Sequence, residues 1–570
     1  MTSKLWKYKP IPSEEAIKEL SDKINVNPDL ATLLLQRGIN TFEEAKSYFR
    51  AGLEALHDPF LMKNMQKAAE RLLLAVQRKE KILFYGDYDV DGTTSVAMCV
   101  TFMRQFYPNV DFYVPDRYIE GYGVSQRGIE FAHSEGFNLL ITLDCGIKAH
   151  DKVDWCNEHQ IDVIICDHHQ PSPQVPQAIA VLDPKQTDCQ YPYKELTGCG
   201  VGFKLLQAYC ILSKTPTTYL FDLLDFVAIS IAADIVPITG ENRILVRKGL
   251  EIINQNPRVG VKALIDVSGF KKQLDVTNIV FGIAPRINAA GRIGHANQAV
   301  KLLISESQSE AEEYAKAVDQ KNGLRKDYDQ SITQEALQMI EEQGLQKAKS
   351  TVLYKHDWHK GVIGIVASRC IEKYYRPTII LTESNGKITG SARSVSGFDI
   401  HEAIASCKEL LHQFGGHSHA AGLTMPFENL VAFQQKFEEV VAAKISTELL
   451  IPKIDIDLKI RLDRINDKFY QIVQQMSPFG PENMQPVFAS SPVIVVENSI
   501  RVMKEVHLKF LVKHPDNNFT IEALAFGMAE EWLELLNEKQ ALEICYYLSE
   551  NDFNGKKTLQ IMIKDLRTIE

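Results

Sequence analysis

Residues 81–106 read KILFYGDYDVDGTTSVAMCVTFMRQF. The apolar run at its start predicts a buried strand, the three aspartates lie just beyond it, and TTSVAMCVTFMRQF predicts a helix. Two later stretches repeat the device. Residues 138–146, NLLITLDCG, form an apolar strand candidate that ends in Asp144, and residues 161–169, IDVIICDHH, form another that ends in Asp167, His168 and His169. Strands that alternate with helices imply a parallel α/β sheet. In such sheets ligands sit at the carboxyl ends of the strands, and all three polar clusters fall there.

Asp87, Asp89 and Asp91 alternate along the chain, and alternate side chains of an extended strand share one face. Three carboxylates on one face repel one another unless a cation sits among them. An EF-hand loop would need a helix before it and a Glu at its twelfth position; a strand precedes, and the twelfth residue from Asp87 is Met98. Alone, Asp144 would read as a helix cap and the histidine pair as accident; three such clusters at strand ends read as a site. Asp234, in FVAISIAADIVP, is a fourth candidate, because a carboxylate in so apolar a stretch needs a hydrogen-bond partner or a metal. Mixed Asp and His donors suit Mg2+ or Mn2+, and the imidazole tilts the choice toward Mn2+. Two such cations are the standard device for phosphoester hydrolysis, activating water and stabilising the attacking and leaving oxygens.

The chain has 570 residues, enough for about three to five domains. The span from Ser307 to Gln343 predicts a long helical connector, interrupted around Asn322-Gly323. A second α/β pattern runs from Ser350 to about Lys444, with strands STVLYK and PTIILTE and the glycine-rich FGGHSHAAG. Beyond Pro452 the pattern becomes short strands. KIDIDLKIRL alternates strictly, placing Ile454, Ile456, Leu458, Ile460 and Leu462 on one face, and HLKFLVKH, TIEALAFGM, ALEICYYL and TLQIMIKDL follow. A small β-barrel is implied, an OB-like barrel being one of several possible folds. The expected division is a helical segment at 1–55, domains at 56–305, 347–448 and 449–570, and a connecting helix at 306–346. The first 55 residues carry no chemical signal. No apolar run is long enough to span a bilayer, no secretory leader is readable, and the ten cysteines lack CxxC spacing and read as buried thiols. A net charge of −10 argues weakly against nucleic acid, but metals neutralise a carboxylate cluster and basic residues need line only one groove.

GDYDVDGTT, ITLDCGI, CDHH and the Asp234 segment resemble the four motifs of the DHH phosphoesterase superfamily. GSARSVSGFD and FGGHSHAAG resemble its partner domain, DHHA1. WHKGVIGIVASR, APRINAAGR and SPFGPEN are similar to the RecJ branch. One departure is Glu482 in SPFGPEN, where that branch usually shows glycine. The resemblance implies an α/β multidomain fold: a parallel-sheet DHH domain, a long connecting helix, a smaller α/β DHHA1 domain and a C-terminal OB-like β-barrel. It implies metal ligation by Asp87, Asp89, Asp91, Asp144, His168 and Asp234, with Asp144 bridging. His169 would lie beside the scissile phosphate and Asp167 would orient a histidine. Arg117, Arg286, Asn288, Arg292, Ser391, Arg393, Gly415, Gly416 and His417 would contact phosphates, and Tyr122 would stack on a base.

The implied activity is 5′-to-3′ hydrolysis of single-stranded DNA to 5′-mononucleotides with two Mn2+ or Mg2+ ions, in DNA repair and recombination. Selection for single strands would be steric. A cytoplasmic monomer with no membrane association is implied, with a helicase and a single-strand-binding protein as candidate partners. The rivals are a DHH phosphodiesterase for short oligonucleotides or cyclic dinucleotides, and a non-catalytic single-strand binder. An inorganic pyrophosphatase is excluded by chain length and by Tyr85, which stands where that family places a histidine ligand.

Overall fold

A computed structural model describes residues 4–538, 540–553 and 555–569. The chain divides into two compact units, one made of residues 56–236 and 240–451, the other of residues 1–55, 237–239 and 452–570.

The larger unit opens on a five-stranded sheet built from β1 (Ile82–Gly86), β2 (Val110–Tyr113), β3 (Leu139–Leu143), β4 (Asp162–Cys166) and β5 (Ala180–Leu182). The order is β2-β1-β3-β4-β5 and every pairing is parallel. Strands β1 and β3 are buried along their whole length, which is why they read as continuous apolar runs rather than alternating ones. Leu83, Tyr85 and Leu140 pack with Ile129, Val153 and Cys156 on one face. The other face is covered by α1 (Val90–Arg104) and α2 (Gly198–Ser213), with α3 (Leu224–Asp234) against α1. The three polar clusters all stand at the carboxyl ends of β1, β3 and β4.

After α4 (Ala284–Ile293) the chain enters α5 (Gln308–Glu342), a 35-residue helix about 52 Å long. The interruption expected at Asn322-Gly323 is absent. Asn322 is buried and its Oδ1 accepts from Arg325 Nε within the next turn. One helical glycine costs only about 1 kcal/mol, which the apolar residues buried along both halves outweigh. Ala311, Ala315 and Val318 are buried in the first half, where the helix packs on α4, and Ile332, Ala336 and Ile340 join Leu353, Trp358, Val366 and Ile380 in the second. Trp358 Nε1 and Lys355 Nζ both donate to Glu335 of the helix. The helix is therefore shared by the two α/β halves. The second half holds β6 (Thr351–Tyr354), α6 (Ile363–Lys373), β7 (Thr378–Ser384), β8 (Lys387–Arg393), β9 (Gln413–His417) and β10 (Ala420–Met425). Its sheet order is β9-β10-β8-β7-β6, with exposed β9 at the edge.

In the smaller unit, pairings run in a circuit through Phe488–Val495, Leu542–Phe553, Lys556–Thr568, Thr520–Ala525, His507–Lys513 and back to Phe488–Val495, the OB-like arrangement. KIDIDLKIRL is not one strand. It breaks at Asp457, whose buried carboxylate accepts from Val487 N and Lys9 Nζ. Ile454 and Ile456 pack with Trp6, while Leu458, Ile460 and Leu462 enter the main core. The first 55 residues acquire a structural role: Leu20, Leu30, Leu33 and Leu34 share that core with Phe488, Phe510 and Ile544, and Leu5–Tyr8 pairs in parallel with Lys453–Ile456. Tyr48 Oη and Arg37 Nε donate to Asn483 Oδ1, and Asn483 Nδ2 donates to the carbonyls of Met476 and Pro478. All ten cysteines are buried and unpaired. Among the described residues no helix is long and apolar enough to cross a membrane.

Glu482 stands at φ +58°, in the left-handed region that favours glycine. Glu482→Gly should stabilise the smaller unit by about 0.5–1 kcal/mol, and Asn483→Ala should destabilise it by about 2–4 kcal/mol through the partners left unpaired. Urea unfolding measures both; an unchanged or lowered midpoint in Glu482→Gly would contradict the strain.

Candidate active site

β1 ends at Gly86, and the chain turns at once into α1. Asp87 lies in the turn, Asp89 caps the helix by accepting from Gly92 N, and Asp91 is in the first turn. The shared-face argument for an extended strand is thus replaced by a strand-to-helix turn, and the three carboxylates diverge. Asp87 and Asp89 group with Asp144; Asp91 groups with His168 and Asp234; Asp144 also groups with His168 and His169. Asp144 belongs to two of the three groups. The turn depends on Gly92, where a Cβ would lie 2.3 Å from the Asp87 carbonyl oxygen.

Asp144 holds φ +60°, a strained value for a residue with a side chain. Gly198, at the start of α2, packs against it so closely that a Cβ would lie 2.5 Å from Asp144 Cβ. That helix start also fixes Asp91. Gly198 N donates to Asp91 Oδ2 at 2.6 Å and Cys199 N to Oδ1 at 2.8 Å, so the carboxylate sits at the positive end of the helix. Ser230 Oγ donates to Asp91 Oδ1 at 2.7 Å and lies within hydrogen-bond distance of Thr197 Oγ1, at 2.6 Å. Thr197 and Ser230 were missed from sequence. A threonine before GCGVG is a legible cap signal, but a serine inside an apolar helix is not.

His168 Nε2 lies 3.2 Å from Asp144 Oδ1 and 3.6 Å from both Asp91 Oδ2 and Asp234 Oδ2. Burial, then mutual repulsion, pushes the carboxyls of Asp87, Asp89, Asp144 and Asp234 upward. Burial pulls His168 down to about 4, so its imidazole is neutral and able to ligate. Asp87 Oδ1 and Oδ2, Asp144 Oδ1 and both His168 ring nitrogens are buried without a hydrogen bond among the described residues. Neutral imidazole and several close, unpartnered carboxylate oxygens form the donor set of a hard or borderline divalent cation, so the residues fit such ions.

Asp167 is buried and accepts from Ile147 N, His168 N and His169 N. His169 Nδ1 donates to Asp167 Oδ1 at 2.7 Å, leaving Nε2 3.1 Å from Tyr122 Oη. Although burial disfavours its charge, the bond to Asp167 raises His169 to about 9.

Arginines adjoin this cluster. Arg117 stacks over Tyr88 at 4.9 Å, and its charge acts on Asp87. Arg292 donates from Nη1 to Gly361 O and is lowered to about 10 by burial and then by Arg117 and Arg393. Arg393 is lowered by burial and Arg117, and donates to Ser391 Oγ and Ala392 O. Among the described residues none of the three has a carboxylate partner. Arg117 and Arg292 come from the first α/β half and Arg393 from the second. His417 feels both Arg393 and His169. Gly415 has open space where a side chain would be, and Gly416 holds φ +142°. Asn288 is half-buried on α4. Arg286 does not join the group: it donates to Asp319 Oδ1, Gly282 O and Val267 O and clamps helices together. Lys360, whose Nζ lies 6.0 Å from the Tyr118 ring, and Tyr118, whose Oη donates to Arg292 O, were not anticipated.

Gly198→Ala should destabilise the larger unit by about 1–3 kcal/mol or more, because the added methyl meets backbone rather than a yielding side chain. Thermal or urea unfolding checks this; wild-type stability would show that the contact can relax.

Residues 81–231 match the DHH family N-terminal domain, residues 347–443 the DHHA1 domain and residues 456–565 the RecJ OB domain. The chain is 37% identical to the single-stranded-DNA-specific exonuclease RecJ of Bacillus subtilis over 563 residues, covering 98% of this chain and 70% of that protein. It is 32% identical to RecJ of Escherichia coli, covering 95% and 96%. A crystal structure of Thermus thermophilus RecJ with Mn2+ superposes with a TM-score of 0.85 at 28% identity, over 99% of this chain and 80% of that one. With the site, the domain series and near-full-length relatives in agreement, the chain belongs to the RecJ family of DHH phosphoesterases.

Proposed function

We propose that this protein hydrolyses single-stranded DNA from the 5′ end to 5′-mononucleotides, using two divalent cations, with Mn2+ preferred over Mg2+. The observation that carries the reading is a set of buried ligand atoms without hydrogen bonds, beside three arginines that have no salt-bridged carboxylate among the described residues. Asp87, Asp89 and Asp144 would hold one cation and Asp91, His168 and Asp234 the other, with Asp144 between them. When bound, the cations supply Lewis acidity that activates the attacking water and offsets charge on the phosphate.

The chain's own groups do the rest. Ser230 and the start of α2 hold the Asp91 carboxylate in one orientation. Asp167 keeps His169 Nδ1 protonated, so that Nε2–H can donate to a non-bridging phosphate oxygen. The guanidiniums of Arg117, Arg292 and Arg393, with Ser391 and the Gly415-Gly416 backbone, take phosphates. His417 borders that path and Tyr122 offers a ring to a base. Asn288 would contribute a further contact to phosphate, and Arg286 acts as a clamp. A phosphodiesterase of short oligonucleotides or cyclic dinucleotides is less well supported, since the RecJ-type OB unit has no use there. A metal-free binder has no use for the ligand set. The reading brings with it a cytoplasmic location, a monomeric state, action in repair and recombination, and a helicase and a single-strand-binding protein as partners.

A 5′-labelled strand, alone and annealed to its complement, tests the reading. Labelled mononucleotide should appear from the single strand with Mn2+, not with EDTA, and not with Asp144→Ala; an intact strand in Mn2+ would sink it. Ser230→Ala should lower Mn2+ affinity or activity by about 10–100-fold while the fold survives, as calorimetric titration would show. Arg393→Ala should raise KM by about 10–100-fold with a smaller change in kcat, and a kcat loss alone would contradict a binding role.

A further inference from the structure

The arginine cluster does not end at Arg292. On α5, Lys321, Leu324, Arg325 and Tyr328 recur at the i, i+3, i+4, i+7 spacing that lines one helical face. Leu324 and Tyr328 are exposed, at 50% and 42%. His359 stacks on Tyr328 with ring centres 4.9 Å apart and planes 18° from parallel. Gly361 N fixes that imidazole by donating to His359 Nδ1, and Tyr118 meets its edge. The platform is thus anchored to backbone on the side of the residue that receives the Arg292 hydrogen bond. Arg325 acts on Arg292 electrostatically; its Nε donates to Asn322 Oδ1, and its Nη1 forms a loose i,i+4 ion pair with Asp329 at 3.9 Å. Lys360 stands over Tyr118.

Resting on the exonuclease reading, we infer that the Tyr328–His359 stack, with Arg325 and Lys360, is a binding site for a nucleoside 5′-monophosphate, the chemical class of the product. An aromatic face with a cation one helical turn away suits a base and its 5′-phosphate: residues at i and i+3 have Cβ atoms about 5–6 Å apart, and stacking is indifferent to which base is presented. A nucleotide released beside Arg292 is captured there before it reaches bulk solvent.

The test is fluorescence titration of the full chain with 2-aminopurine deoxyribonucleoside 5′-monophosphate in EDTA, where stacking quenches the base and metal binding plays no part. Wild type should quench. Tyr328→Ala should weaken binding by about tenfold, Tyr328→Phe should retain it, and Arg325→Gln should weaken it. Equal binding by Tyr328→Ala and wild type overturns the inference. Strand hydrolysis by the same preparation in Mn2+ separates the two ideas. Hydrolysis with no effect of Tyr328→Ala on nucleotide binding leaves the exonuclease and removes the platform. No hydrolysis with binding lost in Tyr328→Ala keeps a nucleotide site and removes the exonuclease.

Discussion

Five aspartates, of which Asp87, Asp91 and Asp144 are buried, crowd together beyond the carboxyl end of the first sheet, and the surrounding backbone holds them there. Asp144 sits at a left-handed φ with Gly198 against it, Asp87 has Gly92 against its backbone, and Asp91 takes two amides from the start of α2. Without those restraints the carboxylates would swing apart or into water, since like charges in a poorly solvated pocket are unstable together. The restraints are backbone contacts, which explains their strength and why glycine occupies the closest approaches. The rest of the sheet acts as the frame that keeps the strand ends in register.

The strands and clusters of the first half were legible because a doubly covered parallel strand leaves an unbroken apolar run with its polar residues displaced to the end. Asp234 was visible as a charge in an apolar helix. In the first motif, alternation of aspartates does not distinguish an extended strand from the strand-to-helix turn that forms there. Arg286 and Arg292 could not be told apart in PRINAAGR. Six residues of helix place them about 120° apart, so one clamps helices while the other faces its fellow arginines. The break at Asp457 was hidden for a related reason: both halves of KIDIDLKIRL keep the same alternation while serving different cores. Ser230 carried no signal, since its partner lies 139 residues away.

Helix α5 turns two α/β halves into one body. Its first half packs on α4, which carries Arg292, and its second half anchors the sheet that carries Arg393. Guanidiniums from both halves therefore meet around one anion path without needing a carboxylate to hold them. Because a local cluster of cations can take a polyanion whatever the sign of the whole, the net charge of −10 is no obstacle to such a substrate.

The first strand and first helices of the chain have their partners at the far end. Leu5 pairs with Lys453, and Leu20, Leu30 and Leu33 share a core with Ile544. At about 5–20 residues per second, synthesis of the intervening chain takes roughly 20–90 s. During that interval residues 5–34 have been made but their partners have not, so these leucines cannot complete their core until the strands beyond Pro452 follow. Burial of this segment thus waits on the synthesis of strands more than 400 residues downstream.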